Sequence, residues 1–293
     1  MTQIAQTGRD NLIGSLFMII SMAGFAIEDS FLKYAADTFG DIPSGQTVVL
    51  LTIVGMAVFG IAARWARQPL WSEAYLSRPL LLRGVFEVSG RLAYTLAFIL
   101  APLITATAIL QATPLVVVAG AAIFLGEKTS LRQWLAVVIG FGGVMLILRP
   151  WGASFDVFAI LAVLGMIGFA GRDLATRASP AVLSNAQLGF IGYAMFFVAG
   201  CIIWGAQGRI APMPPMAIVL TLIAGAGGVL GYFALTVAMR RGSVGAVTPW
   251  RYTRLIFGAA LVLIMFNETI DMPTIIGSII VVISGLLGIN RQR

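Results

Sequence analysis

Histidine is absent from this chain of 293 residues, and cysteine occurs once, at Cys201. Without imidazole there is no histidine metal ligand, proton relay or triad base, and a lone thiol forms no intrachain disulfide. Charge is scarce as well. Asp, Glu, Lys and Arg make up 11% of residues, against about 25% in an ordinary globular domain. No basic run accompanies the net charge of +7, which argues against a nucleic-acid partner. A Walker A phosphate loop is missing, and so is a nucleophile with its base. The chain therefore reads as no enzyme, needing neither cofactor nor metal.

What abounds is apolar. Hydrophobic residues reach 59% and mean hydropathy +0.96, more than a soluble chain of this length can bury. A membrane helix needs about 20 apolar residues. Ten such windows follow one another, at 12–34, 44–63, 79–99, 103–125, 131–149, 155–176, 183–204, 216–239, 244–266 and 273–290. They lack period-two alternation and are about twice the length of a barrel strand, which excludes an outer-membrane β-barrel. The predicted fold class is an all-α integral membrane protein with ten transmembrane helices. Its first window ends in Glu28-Asp29 rather than a small-residue cleavage site, so it reads as a retained helix.

Basic residues collect on one side of this arrangement. A cytoplasmic N-terminus leaves Arg9, Arg64, Arg67, Arg78, Lys128, Arg132, Arg177, Arg240, Arg241, Arg291 and Arg293 inside, and chiefly Arg149 and Arg209 outside. Both termini are therefore expected in the cytoplasm, beneath a bacterial-type inner membrane whose lipid is an expected partner alongside a small-molecule metabolite. Trp65 and Trp71 in segment 64–78 suit the headgroup level.

The sequence also repeats itself. MAGFAIEDSFLK at 22–33 matches MIGFAGRDLATR at 166–177 at an offset of 144, pairing Met22 with Met166, Gly24 with Gly168, Phe25 with Phe169, Asp29 with Asp173 and Lys33 with Arg177. A second register, offset by 141, pairs Gly84 with Gly225, Gly90 with Gly231, Ala97 with Ala238 and Glu127 with Glu268. Five helices per copy is an odd number, so the second copy enters the membrane upside down. The expected domains are two inverted five-helix repeats, 1–150 and 151–293, with a site near the midplane between them.

Ionisable groups inside a membrane must face protein, water or a partner, and are functional candidates by default. Arg83, Glu87 and Arg91 stand at i, i+4 and i+8 on the third helix, with Tyr94 continuing the face. Either Glu87 neutralises the arginines in a structural ladder, or it holds Arg91 until a substrate carboxylate displaces it. The ninth window carries Pro249, Trp250, Arg251, Tyr252 and Arg254. Proline frees carbonyl groups one turn back, and such breaks often adjoin a site. Arg254 is the deeper arginine, while Arg251 is open to a snorkelling role. Gln111 and Thr113, beside Pro114, form a neutral counterpart in the fourth window, suited to orienting a solute or to an interhelical hydrogen bond. Tyr232 matches Arg91 across the repeat and with Tyr94, Trp250 and Tyr252 would supply an aromatic wall.

Glu28, Asp29 and Lys33, and their counterparts Arg172, Asp173 and Arg177, are read as gating or coupling groups at the two mouths. Asp29–Lys33 and Asp173–Arg177 have the spacing to pair within their own helices. Should a proton be coupled, Glu28, Asp29 or Glu87 must carry it; the alternative is plain exchange. The deep charges number four acids and seven bases (the seven being Lys33, Arg83, Arg91, Arg172, Arg177, Arg251 and Arg254). That balance favours a ligand with a carboxylate.

GFAIEDSFLK in the first helix, QATPLVVVAGAAIFLGEKTSLRQW around the end of the fourth and VTPWRYTRLIFGAALVLIMFNET in the second half resemble the drug/metabolite transporter superfamily, in particular its ten-helix EamA branch. The resemblance covers nearly the whole chain. It implies helices 1–4 and 6–9 around a central cavity, helices 5 and 10 outside it, and usually efflux of small metabolites. Combined with the basic cavity, the expected activity is secondary export of amino-acid-like or other zwitterionic metabolites. The rival is a transporter of quaternary-amine or other cationic compounds on the same fold.

Overall fold

The computed structural model describes residues 8–100, 109–110, 112–148, 159–266 and 272–288. Among them there is no strand, and ten helices of at least 12 residues follow in order. They are α1 (Gly8–Thr38), α2 (Ser44–Trp65), α3 (Arg78–Leu100), α4 (Thr113–Phe124), α5 (Leu131–Leu148), α6 (Ala159–Arg177), α7 (Asn185–Gln207), α8 (Pro215–Arg241), α9 (Thr253–Phe266) and α10 (Met272–Gly288). The helix starts carry their own signals. Ser130 and Ser184 each exchange hydrogen bonds with a glutamine three residues on, Gln133 and Gln187, closing the orphan N–H groups of α5 and α7. Gly208, at φ 63°, ends α7 in the left-handed region. Before α9 the chain makes a short helical turn, Val244–Val247, and then a 3-10 stretch, Thr248–Tyr252, at the Pro249 break.

Helices associate in four principal pairs: α1 with α8, α3 with α6, α2 with α7 and α5 with α10. Exchanging α1–α5 for α6–α10 maps this set of pairs onto itself. Glycine permits the closest approaches. A Cβ on Gly24 would lie 2.6 Å from the Gly231 nitrogen, and one on Gly168 would lie 2.4 Å from the Gly90 Cα. The sequence repeat maps one contact onto the other, pairing Gly24 with Gly168 and Gly231 with Gly90. In the α2–α7 pair, Tyr193 covers Gly55 and Phe59 covers Gly189.

Among the described residues four helices, α1, α2, α7 and α8, are long and apolar enough to cross a membrane. The 23-residue α3 and 19-residue α6 carry charges in their middle and last turns, and these turn inward, where Arg83, Glu87, Arg172 and Asp173 are buried. The outer faces are apolar: Leu16, Ile20, Leu222, Ile279 and Ile283 are exposed, a surface made for lipid. An apolar cluster including Met18, Val118, Leu235, Met239 and Val247 joins α1, α4, α8 and the turn before α9. Beside it, Glu127 accepts from Arg177 Nε at 2.8 Å and from the Val244 backbone N–H at 3.0 Å. Arg177 donates further to the Met239 and Arg240 carbonyls. The repeat partner Glu268 lies outside the described residues.

Candidate functional site

A cavity of about 100 Å³ lies between α1, α3, α4, α6 and α9. Helical spacing puts Met22, Phe25 and Glu28 on one face of α1, with Asp29 beside them. Arg91 and Tyr94 enter from α3, Thr113 and Pro114 from α4, and Phe169 and Arg172 from α6. Arg251 comes from the 3-10 stretch and Arg254 from the first turn of α9. Leu110 and Thr113 occupy the positions that the 141 offset relates to Arg251 and Arg254, so one wall is neutral where its counterpart is basic. Helices α2, α7 and α8 contribute no lining residue. Of these, α8 packs against α1 through the Gly24–Gly231 approach, while Gly90–Gly168 closes α3 on α6.

A continuous polar network runs along one flank. Arg83 donates to the Leu188 carbonyl at 2.9 Å and to Tyr232 Oη at 3.0 Å. Tyr232 donates to Glu87 at 2.8 Å, and Glu87 also accepts from Arg172 at 3.3 Å. Arg172 reaches Asp173 at 2.9 Å, and the second oxygen of Asp173 accepts from Arg251. Every member is buried, as a charge in a low-dielectric interior must be partnered to persist there. Across the cavity Arg254 Nε donates to Asp29 at 3.0 Å.

Several expected pairings are replaced by contacts between helices. Glu87 bonds Arg172 and Tyr232, and no ladder with Arg83 and Arg91 forms among the described residues. The Gly90–Gly168 approach brings α6 near enough to supply a guanidinium from across the interface. Asp173 likewise turns to Arg172 and Arg251, leaving Arg177 to Glu127. Glu28, Asp29 and Arg172 line one cavity, with Asp173 behind it, and Lys33 is exposed beyond them. With Lys33 and Arg177 outside, the bases around the cavity fall from seven to five, against four acids.

The expected aromatic wall is also redistributed. Tyr94 lines the cavity edge-on to Phe169, with centroids 5.8 Å apart. Trp250 packs into the apolar cluster around Met18 and Met239, and Tyr252 donates to the Val137 carbonyl at 3.2 Å among Val144 and Val281. Gln111 lies outside the described residues. Phenylalanines take the place of Trp250 and Tyr252: Phe25 lies 5.4 Å from the Arg254 guanidinium, and Phe169 lies 5.4 Å from that of Arg91 and 5.2 Å from that of Arg172. Phe25 and Phe169 recur in the repeat, the one signal that marked them in advance.

Residues 12–149 match the EamA-like transporter family. The chain is 28% identical over 219 residues to an S-adenosylmethionine uptake transporter of Rickettsia bellii, covering 74% of this chain and 75% of the relative. It is 26% identical over 283 residues to the pseudopaline exporter CntI of Pseudomonas aeruginosa, covering 96% of each. A riboflavin transporter of Vibrio cholerae is 30% identical over 160 residues, covering 52% of this chain and 51% of that one. A solved crystal structure superposes with a TM-score of 0.78 at 18% identity, covering 94% of this chain and 98% of the other, a likeness of fold.

Proposed function

The chain belongs to the EamA-like transporter family of the drug/metabolite transporter superfamily, and from that premise we propose that it exports amino-acid-like or other zwitterionic metabolites by alternating access. As a family member it is a membrane transporter for small-molecule metabolites, not an enzyme. The observation that carries the finer reading is a cavity of mixed charge, Glu28 and Asp29 facing Arg91, Arg172, Arg251 and Arg254. Such a lining offers partners to a carboxylate and an ammonium together.

Ten crossings in two inverted halves, 1–150 and 151–293, fit the self-mapping set of helix pairs and the matched Gly24–Gly231 and Gly90–Gly168 contacts. We read the apolar cluster around Met239 as sealing the end that carries Arg177, Arg240 and Arg241, which the distribution of basic residues assigns to the cytoplasm. On that reading the described state is closed inward, and rocking of the halves would open it. Export is favoured by the relative that matches over 96% of both chains, whose name is that of an exporter. S-adenosylmethionine, named for another relative, is itself an α-amino acid.

The test is counterflow into liposomes holding the purified protein, with a panel of amino acids, betaines, simple carboxylates and hydrophobic cations. Zwitterions are expected to exchange, and right-side-out and everted vesicles then report direction. Exchange of hydrophobic cations alone would replace this reading with the cationic one.

A further inference from the structure

We infer that Arg91 and Glu28 are the two poles that hold the transported solute, Arg91 taking its carboxylate and Glu28 its ammonium. This assignment deepens the zwitterion reading and rests on it. Six charged side chains line the cavity and the polar network adds Arg83, Glu87 and Asp173; seven of these nine are already engaged. Asp29 is met by Arg254, Glu87 by Arg172 and Tyr232, Asp173 by Arg172 and Arg251, and Arg83 by Tyr232 and a carbonyl. Arg91 and Glu28 remain. Neither makes a hydrogen bond or ion pair with a described residue, though both line the same cavity. They approach it from different helices, α3 and α1, and do not close on one another.

Both groups are held in place by contacts that leave their polar atoms available. The Arg91 guanidinium lies 3.8 Å from the centre of the Phe196 ring, and its Nε is buried with no acceptor. Stacking on a ring fixes the planar fork without consuming its N–H donors, ready for a two-point contact with a carboxylate. Glu28 is buried and seated against Gly228, where an added Cβ would stand 2.7 Å from Oε2. A buried charge without a partner is costly. A zwitterion supplies both missing counter-charges at once, whereas a singly charged ligand leaves one pole unmet. At about 100 Å³, against about 300–1,000 Å³ for drug-sized sites, the cavity suits a small amino acid.

The experiment uses full-length protein in liposomes and the amino acid it exchanges best, with that amino acid's methyl ester and N-acetyl derivative as competitors. Each derivative is expected to compete at least about tenfold more weakly, because it forfeits one charged hydrogen-bonded contact. Glu28→Gln should erase the discrimination against the N-acetyl derivative, and Arg91→Ala that against the methyl ester. Arg91→Lys should restore part of it. The wild-type comparison stands even where a variant fails to fold. Equal competition by both derivatives in the wild type, or discrimination that persists in both folded variants while zwitterions still exchange, overturns this assignment alone. Exchange of hydrophobic cations only overturns it together with the zwitterion reading.

Discussion

Helices α1 and α6 carry the same short pattern 144 residues apart, yet put it to different uses. Gly24 and Gly168 do the same work, each giving up its side chain so that a neighbouring helix can close, on Gly231 in one case and Gly90 in the other. Asp29 and Asp173 do not. Asp173 is buried between Arg172 and Arg251, while the Asp29 side chain is 55% exposed and answers to Arg254. At the adjoining matched position Glu28 faces Arg172, a reversal of charge. Two copies brought around one cavity would set identical charges against each other at short range, where like charges repel strongly. Backbone packing can be copied unchanged; a charged lining has to diverge.

The aspartates test this contrast with the largest expected effect. Asp173→Asn leaves two buried arginines without their shared counter-charge and is expected to destabilise by about 3–5 kcal/mol. Asp29→Asn breaks a partly solvated pair and should cost under about 1 kcal/mol. Thermal unfolding of the two variants in detergent measures the difference, and equal losses would erase the asymmetry claimed between the helices. The glycines should show the opposite pattern. Gly24→Ala and Gly168→Ala each force a Cβ into a facing backbone, with an expected loss of about 1–3 kcal/mol apiece. Matching shifts in melting temperature are the expected result, and a shift in one alone would show that the two approaches are not equivalent.

Much of this architecture is legible in the sequence. The ten described helices overlap the apolar windows, and the break at Pro249 follows from a residue with few other uses in a membrane helix, whereas Gly24, Gly90 and Gly168 were marked only by their recurrence in the repeat and not as points of close approach. Pairing partners were harder to read. The i, i+4 spacing of Arg83, Glu87 and Arg91 pointed to a ladder within α3, whereas Glu87 is satisfied from α6 and α8. Spacing along a helix reports which residues share a face, not which neighbour will lie opposite. Trp250 and Tyr252 were placed by a turn of 3.6 residues, but the stretch 248–252 is a 3-10 helix of about three residues per turn. That tighter winding rotates successive side chains differently, and Tyr252 faces Val137 of α5 instead of the cavity. Phe25 and Phe169 gave no polar sign of their role, because an apolar residue in a membrane protein fits either lipid or interior.

The last matched position separates the two helix ends more gently. Arg177, in the final turn of α6, donates to Glu127 and to two carbonyls at the end of α8, while its counterpart Lys33 is exposed on α1. Because the Arg177 side chain is only 15% exposed, Arg177→Ala should cost about 1.5–3 kcal/mol, near the net worth of one charged hydrogen bond. Lys33→Ala should stay within about 0.5 kcal/mol, as surface substitutions generally do. A second readout tells a seal from a mere brace. If the Glu127–Arg177 tie helps keep the cytoplasmic end closed, Arg177→Ala should raise alkylation of a cysteine placed at Thr113 by a membrane-impermeant thiol reagent added from the cytoplasmic side, in a Cys201→Ser background. Labelling unchanged from that of the unmutated tie would confine Arg177 to holding the ends of α4, α6 and α8 together.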